Sequence, residues 1–118
     1  MKVAALQMTS GMQVAANLAT ALRLLEIAAS DGAQLAVLPE NFAFMGRNES
    51  DKQAVAEQPG SGPIQDFLAT QARRLGLTIV AGTIPLQVRG EARSAAASRR
   101  PAKGATASIA AAACAWSV

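Results

Sequence analysis

The chain has 118 residues with 11 Lys or Arg, eight acids, one cysteine and no histidine. One cysteine excludes an internal disulfide, and with no histidine and no Cys/His cluster of metal-ligand spacing a structural zinc site is not expected. The formal charge of +3 sits at one end: residues 1–88 hold six basic and seven acidic side chains, and residues 89–118 hold five and one. The basic balance therefore says nothing about the partners of the first 88 residues, and no nucleic-acid partner is expected.

"KVAALQM", Lys2 to Met8, is a short apolar run closed by Thr9-Ser10-Gly11, and it predicts a buried strand. From Gln13 to Ser30 apolar side chains recur at helical spacing: Leu18, Leu22, Leu25 and Ala29, flanked by Ala21 and Ala28. Gly32 falls where a left-handed helix stop belongs. Leu35 to Leu38 predict a second strand, ended by Pro39, which has no N–H to give a ladder. Residues 41–62 are polar and turn-rich, with a helical turn near Asp51–Ala56. "PGSG" lacks the Lys-Ser/Thr pair of a nucleotide loop, so it predicts a turn. Pro63 suits the first position of a helix running to Leu75, with Phe67, Leu68 and Ala72 inward, Arg73 and Arg74 at its dipole-favoured end, and Gly76 as its stop. "LTIVAG" is a β-branched third strand expected to end at Gly82.

The order β-α-β-α-β, with strands apolar on both faces, predicts an α/β fold with a parallel sheet. Ligands of such sheets collect at the carboxyl ends of the strands. Three segments leave that edge: Thr9–Gly11, Pro39–Gly46 and Thr83–Leu86. Glu40 stands in the second, within "LAVLPENFAFMG". Beside an apolar wall of Phe42, Phe44 and Met45, its carboxyl would lose solvation and could serve as a general base. A solvated loop acid or a helix cap is the plainer reading of the same position, and Asn41 could orient Glu40 or cap a turn.

Taken together, "KVAALQM", "GAQLAVLPENFAFMG" and "GSGPIQDFLATQARRLGLTIVAGTIPL" resemble the opening of the nitrilase superfamily, the carbon–nitrogen hydrolases, in the branch of the amidases. The resemblance implies the N-terminal portion of an α-β-β-α sandwich. It also implies hydrolysis of small carboxylated amides or nitriles through a Glu-Lys-Cys triad and a thioester, without cofactor or metal. Glu40 matches the catalytic glutamate, and Asn41 and Phe42 become candidates for the substrate pocket. The family's homo-oligomers are implied likewise; the single cysteine is consistent with a reducing, cytoplasmic setting, and no membrane partner is expected, since no run reaches about 18 strongly apolar residues.

Past residue 88 the wording departs from the family. Residues 89–118 contain 12 alanines and few large apolar groups. They read as a low-complexity basic tail, disordered or partly helical over Ala102–Ala115, with no strand periodicity. Lys103 and Cys114 lack the family's surrounding motifs and receive no catalytic role. The change at residues 87–91 reads as a frameshift or truncation, leaving one catalytic residue of three and an inactive chain. The alternative is a non-catalytic α/β module that binds a partner through its sheet face, with the tail as a basic arm.

Overall fold

The computed structural model describes residues 1–88 and 91–99. In chain order the elements are β1 (Val3–Ala5), α1 (Val14–Ser30), β2 (Leu35–Val37), α2 (Glu49–Val55), α3 (Pro63–Leu75), β3 (Thr78–Val88) and β4 (Glu91–Arg99). They build one sheet of order β1-β2-β3-β4, parallel across the first three strands and antiparallel at the last pair. The β-α-β-α-β expectation holds.

Helix α1 folds where the spacing put it. It buries Asn17, Ala21, Leu25 and Ala28, positions that recur every three or four residues and so share a face. Its end is closed by Gly32 at φ +84°, whose N–H bonds to Ala29 O at 3.0 Å. Helix α3 begins at Pro63, buries Ile64, Gln65, Leu68 and Ala72, and stops at left-handed Gly76. Both helices cover the same side of the sheet. Their apolar faces enclose Ala36, Leu38, Leu77, Ile79 and Ala81 in a single core. Register fixes the other side. Val3 pairs with Leu35 and Ala5 with Val37, which pairs with Val80, so these side chains point away from the helices. Val3 is 53% exposed and Val80 36%.

Two sequence expectations need correction. Gly82 does not end the third strand: at φ +58° it forms a bulge, the register shifting between Val80 and Thr83, and pairing resumes to Val88. The second correction concerns residues 91–99, read as strandless tail. Their backbone pairs with β3 as β4, from Val88↔Glu91 to Ile79↔Arg99. A long strand with an open edge offers a row of N–H and C=O groups, and a ladder needs only backbone from its partner, so a composition poor in large apolar residues is no bar. The predicted helix over 102–115, Lys103 and Cys114 lie outside the described residues.

Candidate active site

The segment after β2 leaves the sheet at the carboxyl end of the parallel strands, as the sequence predicts. Leu38 still bonds to the sheet, its N–H donating to Val80 O at 2.8 Å. Glu40 to Ala43 then form a turn. Asn41 has φ +55°, a left-handed conformation that asparagine tolerates better than most residues. That conformation reverses the chain, so Glu40 remains exposed while Phe42, Ala43 and Phe44 drop into the core.

The turn is tied on every side. Ser10 Oγ donates to Phe42 O at 2.6 Å. Asn17 Nδ2 donates to Ala43 O and to Gly11 O, each at 2.8 Å, and Asn17 Oδ1 accepts from Gly11 N–H at 3.0 Å. Met45 N–H donates to Gly11 O at 3.0 Å, and Phe44 N–H to Asn41 O at 3.2 Å. The loops after β1 and β2 are thereby joined through one buried asparagine on α1. Across the turn, Thr83 Oγ1 accepts from Asn41 N–H at 3.3 Å. The arrangement is a rigid backbone carrying one free carboxylate; no side-chain hydrogen bond or ion pair engages Glu40 among the described residues.

The expected apolar wall is not there. Phe42 is 0% exposed and packs with Leu25, Leu38 and Leu68, Phe44 is buried as well, and Met45 points outward at 47% exposure. The left-handed turn at Asn41 sends the two rings inward, so they anchor the loop and do not desolvate its acid. Phe42 therefore offers no surface to a substrate, and Asn41 is engaged with Thr83. The third expected edge segment, Thr83–Leu86, is strand, yet it reaches the site through Thr83.

Three buried polar residues, Asn17, Glu57 and Gln65, escaped the sequence reading. Asn17 interrupts an apolar stripe and so was invisible to periodicity. Glu57, 7% exposed, serves α3. Its carboxylate accepts from the N–H groups of Ile64 at 2.6 Å and Gln65 at 3.0 Å and from Gln65 Nε2 at 3.1 Å. A signal existed in the helix start, because glycine at its N-cap leaves those amides in need of another acceptor. Glu57 also borders a groove of about 420 Å³ with Val14, Val55, Gly62 and Ile64, which does not include Glu40. The one acid of this groove is already spent on capping α3. No helix of the described residues is long and apolar enough to cross a membrane.

The described residues thus form a parallel α/β layer with an exposed acid on a hydrogen-bonded turn at its carboxyl edge. Comparison with known proteins gives it a family. The carbon-nitrogen hydrolase profile matches residues 2–99, past the break read in the sequence, and the chain belongs to that family. It is 46% identical over 92 residues to the deaminated glutathione amidase of Synechocystis sp. (strain PCC 6803), an alignment covering 78% of this chain and 33% of that protein. A solved structure of XC1258 from Xanthomonas campestris, described as a CN-hydrolase superfamily protein, matches with a TM-score of 0.69 at 27% identity, over 84% of this chain and 36% of that one. Nit3 of Saccharomyces cerevisiae, a nitrilase-superfamily member, shares the fold with a TM-score of 0.74 at 23% identity, over 85% and 40% of the two chains. The chain spans about a third of the length of the curated relatives it matches.

Proposed function

We propose that this chain carries the glutamate-bearing part of an amidase that hydrolyses small carboxylated amides or nitriles, with Glu40 as its general base. The supporting observation is the Glu40 turn: a backbone fixed by two neighbouring loops and a strand, holding an unengaged carboxylate where parallel sheets gather ligands. In the proposed reaction Glu40 takes the proton of a cysteine thiol, and the thiolate attacks the amide carbon. A lysine and a backbone N–H stabilise the oxyanion. Glu40 returns the proton to the departing amine, then takes one from the water that cleaves the thioester, releasing acid and thiol. Neither Lys103 nor Cys114 stands in a matching context. We therefore assign those two roles to other residues and expect these 118 residues alone to be inactive. The single cysteine is consistent with a reducing, cytoplasmic setting.

The test is a chimera in which residues 2–99 replace the matching segment of the Synechocystis amidase. Turnover of a small carboxylated amide is expected, with Glu40→Gln lowering kcat by roughly 10²–10⁴-fold, the contribution of a general base. Turnover within twofold of the parent in the Glu40→Gln chimera rejects the assignment. A folded but inert chimera favours the binding-module alternative.

A further inference from the structure

The turn that carries Glu40 rests on β3 at two successive residues. Gly82 makes the first contact: a Cβ built there would lie 2.5 Å from Pro39 O and 2.9 Å from Glu40 N, so only a residue without one lets the backbones meet. Thr83 makes the second. Its hydroxyl accepts from Asn41 N–H at 3.3 Å and faces Asn41 Oδ1 at 3.4 Å, to which it can donate. One hydroxyl can do both, since it has a single proton and two lone pairs. Asn41 is the only described non-glycine residue with positive φ. It is also the residue whose conformation decides that Glu40 faces out while Phe42 faces in. Relaxation of Asn41 to an extended backbone would turn both neighbours.

We propose that Thr83 is a positioning residue for Glu40, its hydroxyl holding Asn41 in the left-handed conformation that aims the acid. This rests on reading Glu40 as the general base, but it concerns the backbone beneath it. A base must stand within about 2.6–3.2 Å of the proton it takes. Displacement by about 1 Å can cost about a hundredfold in rate, so an exposed acid without side-chain partners has to be aimed by its backbone.

The test uses the labelled 118-residue chain with two variants: Thr83→Val, which keeps the shape and loses the hydroxyl, and Thr83→Ser, which keeps the hydroxyl. Nuclear magnetic resonance reads the Asn41 HN–Hα coupling, which reports φ, and amide exchange at Asn41 and Phe44, with Leu38 as internal reference. Thr83→Val is expected to shift the coupling and speed exchange at Asn41 and Phe44 by about tenfold over Leu38, the scale of one lost hydrogen bond, while Thr83→Ser stays within about twofold of the parent. An unchanged coupling in Thr83→Val overturns the proposal, whatever happens to global stability; so does an equal shift in both variants. Glu40→Gln leaves the Asn41 coupling unchanged, so failure of the general-base reading in the chimera is distinguishable from failure here.

Discussion

Replacing Glu57 by glutamine removes one charge and changes almost no volume, and it tests how α3 is held. Pro63 lacks an N–H, so the first amides of the helix needing acceptors are those of Ile64 and Gln65. The N-cap is Gly62, which has no side chain to offer. Glu57 reaches both amides from outside the helix, and the positive end of the helix dipole favours the anion there. The carboxyl also occupies the space in which a side chain at position 62 would stand: a Cβ on Gly62 would lie 2.4 Å from Glu57 Cδ. A glutamine keeps one acceptor and turns an NH₂ toward a buried N–H, so one helix amide loses its partner. The loss of one charge-assisted bond plus the desolvation of the orphaned amide gives a cost of about 2–4 kcal/mol. Urea unfolding followed by circular dichroism measures it, with Gln58→Glu as a charge control. A Glu57→Gln midpoint shift worth less than about 0.5 kcal/mol would refute the capping account.

Asn17→Leu should cost about 2–4 kcal/mol in the same assay, because Gly11 N–H and Ala43 O lose a buried partner that no apolar group replaces. Gly82→Ala combines the left-handed penalty of about 1–2 kcal/mol with overlap against Pro39 O, so its unfolding midpoint should fall by more than that penalty alone. Arg74→Gln breaks the 2.6 Å pair with Glu26, but both side chains are half exposed, so the loss should stay below about 1 kcal/mol and shrink further in high salt. Glu40→Gln should leave the urea midpoint where it is, since nothing in the described fold uses its carboxylate; a clear shift would mean a structural role.

Elements written by periodicity or by punctuation were legible in the sequence. Pro63 and Gly76 bound α3 without error, and Gly32 closes α1. What escaped depends on contacts between distant residues. Gly82 looked like a strand end because glycine punctuates; that the backbone continues past it depends on Glu57, whose N–H and C=O bond to Pro85 and Gln87, and on β4. Asn17 sits within an apolar stripe and carries no local mark of burial. Its partners at Gly11 and Ala43 lie on loops six and 26 residues away. The site was half legible. Glu40 was placed by the rule for strand ends and by resemblance, whereas the direction of its flanking phenylalanines hangs on a single dihedral angle at Asn41.

That angle explains why a charged side chain stands between a strand and two aromatic rings. Ordering residues 39–45, seven in all, costs about 1–2 kcal/mol each in backbone entropy, or about 7–14 kcal/mol. Burying two phenylalanine rings returns about 3–6 kcal/mol, and five hydrogen bonds to the turn return about 0.5–1.5 kcal/mol apiece, about 6–13 in total. Phe42 and Phe44 therefore supply about half of what offsets the cost of ordering the turn. Placed as a wall around Glu40, the same rings would have raised the cost of charging the acid and left the backbone unanchored. Inside the core they leave the carboxylate solvated and stiffen what carries it. A loop acid without a task would gain nothing from so many ties, and a mobile turn would satisfy its polar groups with water at no cost in order. The tied turn beneath a free acid suits the general base proposed for Glu40.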